Sequence, residues 1–260
     1  MIRFKLHTLK NSLHRNNMST TCRIAVLQMT STSDKSRNRR KCQSLLQKAK
    51  SYGAQAAFLP EAFDFIGESA QQTNELAEAI DDKGGIISFY QELAMELNMS
   101  LSLGGFHERL LTEKKLSNTH LFISSQGEIL GKYAKTHLFD VEIPERSLRL
   151  KESDYVQAGD SLGLNNPVPL LKNSHDFQVG LAVCYDLRFP ELSIALCRRG
   201  ANVLTFPSAF TVATGSAGHW STLLRARAIE NQCYVVAAAQ TGRHNEKRTS
   251  YGHACIIDPW

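Results

Sequence analysis

Residues 178–191 read Gln-Val-Gly-Leu-Ala-Val-Cys-Tyr-Asp-Leu-Arg-Phe-Pro-Glu, and this order leaves little choice of fold. Val179 to Val183 form a short apolar run bounded by turn residues, which marks a buried strand rather than a helix. Pro190 belongs in the first turn of a following helix, where its missing N–H removes no hydrogen bond. Cys184 is therefore delivered to the end of a buried strand, the edge at which α/β sheets carry their chemistry. A buried cysteine is by itself most often a packing residue, so its meaning depends on what else reaches that edge.

The rest of the chain alternates in the same way. Arg23 to Met29 reads as a strand, followed by a basic amphipathic helix from Asp34 to Tyr52 that Gly53 ends. Ala54 to Leu59 is a second buried strand, delivering Glu61 at its C-terminal end. Asn74 to Ile80 and Ile86 to Leu97 read as helices, and Met99 to Leu103 as a strand closed by two glycines. Asn118 to Ser124 and Ile129 to Ala134 form a hairpin across Gln126-Gly127 that ends at Lys135. Residues 141–169 are irregular, and so long a loop in a compact domain is commonly functional. Beyond Cys184 the pattern predicts a helix from Pro190 to Arg199, a strand from Asn202 to Phe206 and a loop through Gly218. A helix from Trp220 to Asn231 and two strands, Cys233 to Ala239 and Tyr251 to Asp258, complete it. Such alternation predicts a mixed sheet covered by helices.

Composition bounds the function. The 260 residues, 42% apolar and 21% charged, suffice for one domain with a sizeable core, and no run is long and apolar enough to span a bilayer. The net charge of +5 comes from the N-terminus: Arg3, Lys5, Lys10, Arg15 and Arg23 face no acid there, and the other 25 basic residues balance 25 acidic ones. No nucleic-acid surface is implied. Residues 1–22, basic and rich in Ser, Thr and Asn, resemble a mitochondrial transit peptide. With Met18 as a second start, this predicts cytoplasmic and mitochondrial forms; the alternative is a disordered tail. Cys22, Cys42, Cys184, Cys197, Cys233 and Cys255 stand singly, which predicts a reducing compartment without disulfides. No His/Cys cluster has metal spacing, and Gly215-Ser216-Ala217-Gly218 lacks the Lys-Ser/Thr ending of a phosphate loop, so neither metal nor cofactor is expected.

Three strand ends thus carry Glu61, Lys135 and Cys184. Cysteine attacks as thiolate, and a nearby ammonium lowers its pKa from about 8.5. Lys135 equally suits the negative oxygen of a tetrahedral intermediate, together with the backbone N–H of Tyr185. Glu61 suits a general base that takes the thiol proton, returns it to a leaving nitrogen and then activates water. Arg188 offers a guanidinium fork for a substrate carboxylate, or else a structural ion pair. Phe210 and Thr211 are candidates for the pocket wall, with core packing the alternative for Phe210. His137 and His219 read as structural histidines.

The wording around these residues resembles the nitrilase superfamily of carbon–nitrogen hydrolases. The matching stretches are Phe58-Leu59-Pro60-Glu61, Lys135-Thr136-His137-Leu138-Phe139-Asp140 and Cys184-Tyr185-Asp186-Leu187-Arg188-Phe189-Pro190-Glu191, within residues 23–260. Pro60 to Ile66, Leu103 to Arg109, Lys135 to Pro144, Pro207 to Phe210, Leu224 to Glu230, Gln240 and Gly242-Arg243-His244 with Glu246-Lys247-Arg248 resemble its branch acting on deaminated glutathione. That resemblance implies a four-layer αββα sandwich, a homodimer, and cleavage of the amide to 2-oxoglutarate and cysteinylglycine; Trp220 reads as packing or, with Leu223, Leu224 and Ile229, as part of the dimer face. It also implies a second glutamate that positions the lysine: Glu152, or its competitor Glu142. An ω-amidase acting on 2-oxoglutaramate and a non-catalytic scaffold are the alternatives. Family sequences continue beyond Asp258-Pro259-Trp260, which suggests a missing C-terminal end or fusion to a histidine-triad nucleotide hydrolase.

Overall fold

The computed structural model describes residues 3–11, 20–143 and 148–260; Met18 and Pro144 lie outside them. The chain begins with β1 (Arg3–Asn11), β2 (Thr20–Met29), α1 (Lys35–Ser51), β3 (Ala56–Leu59), α2 (Ala70–Leu76), α3 (Ile86–Leu97), β4 (Ser100–Glu108), β5 (Leu116–Ile123) and β6 (Ile129–Ala134). There follow β7 (Asp140–Ile143), β8 (Leu148–Lys151), β9 (Val156–Gln157), β10 (Val168–Pro169), β11 (Gln178–Leu181), α4 (Pro190–Arg198) and β12 (Val203–Thr205). The chain closes with α5 (Val212–Ser216), α6 (His219–Asn231), β13 (Tyr234–Ala237), β14 (Ala239–Arg243), β15 (Thr249–Tyr251) and β16 (Cys255–Ile257).

Two sheets pack face to face. Among the described residues the larger runs β15-β14-β2-β3-β4-β5-β6, with β1 on β2 and β9 on β5; the smaller runs β10-β11-β12-β13-β16. Alternation along β2 shows why the sheets stack. Ile24 and Val26 point into a core shared with Val179, Leu181, Val203 and Val235 of the smaller sheet. Ala25 and Leu27 point the other way, against Leu45 and Leu46 of α1 and Tyr90 and Leu93 of α3. Leu192 and Leu196 of α4 and Leu224 and Ala228 of α6 cover the outer face of the smaller sheet. The order helix, sheet, sheet, helix is the expected αββα sandwich, each sheet burying both faces.

Caps set several boundaries. The Asp34 carboxylate accepts from the Arg37 N–H at 2.9 Å and starts α1, and Pro190 opens α4. Ser69 accepts from the Gln72 N–H at 3.1 Å, so α2 begins earlier than periodicity alone suggests and ends at Leu76.

Other expectations are corrected. The disordered-tail alternative for residues 1–22 does not hold over residues 3–11, which lie antiparallel to β2 from Arg3↔Gln28 to Asn11↔Thr20. The irregular stretch 141–169 contains the β7–β8 hairpin, and α5 interrupts the loop before Gly218. The strand read as Cys233 to Ala239 is two: β13 belongs to the smaller sheet, and after Ala238 the chain crosses to β14 in the larger one. Trp220 and Leu224 are buried core residues rather than an outward face.

Candidate active site

Each sheet brings different chemistry to one edge. From the larger come Glu61, after β3, and Lys135, after β6; from the smaller comes Cys184, after β11. Cys184 has φ 45° and Ala62, beside Glu61, φ 54°, in the left-handed region that side chains other than glycine seldom adopt. Such strain, held by the surrounding fold, is characteristic of functional turns. The Cys184 N–H donates to the Pro207 carbonyl at 3.0 Å. Tyr185 then enters the first turn of a 3₁₀ helix, Cys184–Arg188, where backbone N–H groups have no partner within the helix.

The Lys135 ammonium is 2% exposed and donates to Glu61 Oε1 at 3.0 Å and Glu152 Oε2 at 2.8 Å. Of the two candidates for a second glutamate, Glu152 is the one on the lysine; Glu142 is exposed on β7, opposite Arg149. The Phe139 N–H also donates to Glu152 Oε2, at 2.8 Å. Glu61 Oε2 accepts from the Ala209 N–H at 2.9 Å, and the Cys184 thiol is among the groups whose interaction with the Glu61 carboxylate shifts its pKa. Gln240 donates to the backbone carbonyls of Glu61 and Ala62, each at 3.0 Å.

These contacts set the resting charges. Burial alone would raise the Glu61 pKa, but Lys135, Arg248 and hydrogen bonds from Cys184 and Lys135 hold it down at about 2. For Lys135, burial is outweighed by Glu152, Glu61 and Cys184, which push its pKa well above the usual lysine value. Cys184 goes the other way: burial and the Glu61 charge push its thiol up, and Lys135 compensates only in part. The lowering expected from the neighbouring lysine is present but is outweighed by burial and by Glu61. At neutral pH the site holds a thiol, a carboxylate and an ammonium, so the thiol proton must pass to Glu61 as sulfur attacks.

The substrate-binding candidates divide. The Arg188 guanidinium lies over the Tyr185 ring at 5.7 Å and the Phe210 ring at 5.6 Å. Its polar contact is His219 Nδ1, at 3.3 and 3.4 Å, and among the described residues no carboxylate pairs with it. A half-buried, unneutralised guanidinium beside the nucleophile turn is suited to an anionic group. Phe210 is 5% exposed and packs on Trp220, with Arg188 over its ring, so the core-packing alternative fits it. The Thr211 hydroxyl is engaged with that of Thr214 at 2.7 Å.

Two further residues were not singled out from sequence. Asn118 bridges both glutamates (3.0 and 2.8 Å), and Asp186 knots the lysine turn to the cysteine turn. Asp186 is fully buried and accepts from the Tyr133 hydroxyl at 2.8 Å, the Val183 N–H at 2.8 Å and the His137 N–H at 3.1 Å. His137 Nδ1 lies 2.7 Å from the same carboxylate and its ring stacks on Phe189, so His137 is structural. The available signal was polarity: Ser117, Asn118, Thr119 and His120 are four consecutive polar residues in a strand buried at every position. Among the described residues no group of three or more His, Cys, Asp or Glu has a metal-holding arrangement.

Known proteins repeat this architecture. "Deaminated glutathione amidase" of Bos taurus is 50% identical over 240 residues, spanning 91% of this chain and 70% of that protein. The crystal structure of the C. elegans NitFhit protein superposes with TM-score 0.82 at 48% identity over 91% of this chain, which spans 55% of that fusion. Saccharomyces cerevisiae Nit3, described as a member of branch 10 of the nitrilase superfamily, gives TM-score 0.77 at 27% identity over 91% of this chain and 82% of its own. The sequence profile of the carbon-nitrogen hydrolases matches residues 23–260, and with the αββα sandwich and the buried Glu-Lys-Cys edge the chain belongs to the carbon–nitrogen hydrolase family.

Proposed function

We propose that this chain hydrolyses the amide of deaminated glutathione to 2-oxoglutarate and cysteinylglycine through a thioester on Cys184. The observation that carries the reading is the buried thiol–carboxylate–ammonium arrangement, in which Glu61 touches both Cys184 and Lys135. The name borne by relatives at 49–50% identity supplies the substrate. Sulfur attacks the amide carbon while its proton moves to Glu61. Lys135 and the Tyr185 N–H stabilise the oxyanion, and Glu61 returns the proton to the leaving nitrogen. Water then loses a proton to Glu61 and attacks the thioester; the carboxylic acid leaves and the thiol is restored. Glu152 keeps Lys135 charged and aimed, and Arg188 receives a substrate carboxylate.

Incubating the purified chain with deaminated glutathione and, separately, with 2-oxoglutaramate, and following 2-oxoglutarate release, tests this. Preference for the first amide, lost in Cys184→Ala, supports the reading. Preference for the second replaces it with an ω-amidase, and release from neither removes it.

A homodimer through α4 and α6 fits the same reading, supported by exposed Ile194 and Ile229 on those helices; a monomeric mass in sedimentation equilibrium overturns it. The fly and worm relatives fused to a histidine-triad domain support a fused partner for this domain, tested by the length of the native transcript. The basic leader supports mitochondrial as well as cytoplasmic forms, tested by N-terminal sequencing from fractionated cells.

A further inference from the structure

Asn118, on β5, is 5% exposed and, among the described residues, carries the one side-chain amide that touches both catalytic-site glutamates. Its Nδ2 donates to Glu61 Oε1 at 3.0 Å and to Glu152 Oε1 at 2.8 Å, one N–H to each. The amide cannot be turned round, because Oδ1 would then face two carboxylate oxygens with no proton between them. In the orientation it takes, Oδ1 is buried without a hydrogen-bond partner. A buried acceptor left unsatisfied costs stability, so packing alone does not account for an asparagine here. Gly105 makes room for it: at φ 43°, a Cβ there would come within 2.6 Å of Asn118 Oδ1 and 3.0 Å of Glu61 Cγ. The Asn118 carbonyl, in turn, accepts from the Lys135 N–H at 2.9 Å. One residue is therefore joined to the base, to the second glutamate and to the lysine backbone.

We propose that Asn118 is the positioning residue of the catalytic carboxylates, whose split amide ties Glu61 Oε1 to Glu152 around Lys135 and leaves Glu61 Oε2 for the Cys184 thiol. The division of labour on Glu61 follows from its contacts. Oε1 is taken by Asn118 and Lys135, both of which donate, whereas Oε2 meets the Ala209 N–H. Without the amide, Glu61 and Glu152 share only the lysine, and Glu61 Oε1 keeps one donor instead of two, so the carboxylate is held less firmly towards sulfur. Two donors from a neutral group also hold two like charges close without adding a third. The role rests on the amidase reading for its chemistry, although the geometry stands without it.

The test compares Asn118→Ala and Asn118→Asp with the wild-type chain. It measures kcat and KM on deaminated glutathione, the rate of Cys184 alkylation by iodoacetamide, and the thermal midpoint. With Asn118→Ala, kcat falls roughly tenfold to a hundredfold while KM stays within about threefold, because orientation of the base is lost rather than substrate contact. The aspartate variant supplies a signature that a structural role does not. As a carboxylate it repels Glu61 and Glu152; once protonated it again has one O–H to donate. Its activity and its alkylation rate, low at about pH 8, recover towards about pH 5 relative to wild type, since neighbouring carboxylates raise the pKa of a third. The titratable groups facing this cluster are Lys135, Glu61, Glu152, Cys184, Arg248 and Tyr155, with His107 the cross-strand partner on β4. All are common to wild type and variants, so the ratio isolates the new carboxyl. Wild-type kcat in Asn118→Ala overturns the proposal, as does a loss in both variants that follows the thermal midpoint with no recovery at low pH. If wild type leaves the amide intact but alkylation shows the signature, the substrate reading falls and the positioning role stands.

Discussion

The two sheets contribute to one edge in opposite ways. The larger sheet supplies charge: Glu61 and Lys135 are buried ions that persist because each neutralises the other, with Glu152 on the lysine and Asn118 between the carboxylates. The smaller sheet supplies a neutral nucleophile on strained backbone, Cys184 at φ 45°, whose thiol burial keeps protonated. Neither half reacts alone. A buried ion pair without a nucleophile is only structure, and a buried thiol without a base is an inert core cysteine. Between the sheets run two pins. Asp186, in the smaller half, accepts from Tyr133 and His137 of the larger. His120, in the larger half, lies 3.0 Å from the Ala182 carbonyl, two residues before the nucleophile.

Removing the positive charge from the larger half should have the largest effect. Lys135→Ala loses the oxyanion donor and strands Glu61 and Glu152 as unpaired carboxylates. We expect kcat to fall by about 10²–10³, some 3–4 kcal/mol of transition-state stabilisation, with single-turnover kinetics as the check. Retention of most of kcat would show that the smaller sheet alone builds the oxyanion site.

Breaking the Asp186 pin separates the halves. Asp186→Ala leaves the Val183 N–H buried without its acceptor and the Tyr133 hydroxyl with only the Thr136 hydroxyl, 2.9 Å away, so stability should drop by about 1–3 kcal/mol and kcat should fall with it. Denaturant unfolding together with Cys184 alkylation reads both. Unchanged alkylation at full folding would mean that the turns are placed independently of the pin.

The histidines sharpen the comparison through pH. His120 is pushed down to about 4 by burial, partly offset by its bond to Ala182, and His244 to about 4 by burial, partly offset by its bond to Ser31. A carbonyl only accepts, so His120 Nδ1 carries the proton and Nε2 accepts from Ser102, 2.7 Å away. Folded-state pKa values below the ordinary 6.5 mean that the unfolded chain binds protons first. Stability is therefore full above about pH 6.5 and is lost as pH falls towards about 4, by about 2–3 kcal/mol for fully buried His120. Glu61 acts lower, between its ordinary 4.5 and about 2. Unfolding curves of wild type and His120→Gln at stepped pH separate the two windows; identical pH dependence would deny His120 its share.

The smallest effect belongs to recognition. Arg188→Ala should raise KM roughly tenfold with kcat nearly kept, and an unchanged KM removes its role towards a substrate carboxylate.

What the sequence revealed and what it hid follow the same division. Glu61, Lys135 and Cys184 were legible because each stands at a strand end within a stretch whose wording resembles the family's, a local signal. Glu152 was distinguished from Glu142 in three dimensions, since Glu142 lies within β7 opposite Arg149 while Glu152 follows β8 and reaches Lys135. Asn118 and Asp186 were silent as site residues because their roles consist of contacts with residues distant in sequence, such as Glu61 for Asn118 and Tyr133 for Asp186. The change of sheet between Ala237 and Ala239 was hidden because an apolar run reads alike in either sheet.

The central claim is that the thiol of the smaller sheet stays protonated until the carboxylate of the larger takes its proton. Titrating the ultraviolet thiolate absorbance of wild type against Cys184→Ala, from about pH 6 to about pH 9, tests it directly. We predict no Cys184-dependent absorbance across that range, because burial and Glu61 hold the thiol above its ordinary value of 9.0. A thiolate step near neutrality would contradict it, and would make Lys135 rather than Glu61 the group that readies the nucleophile.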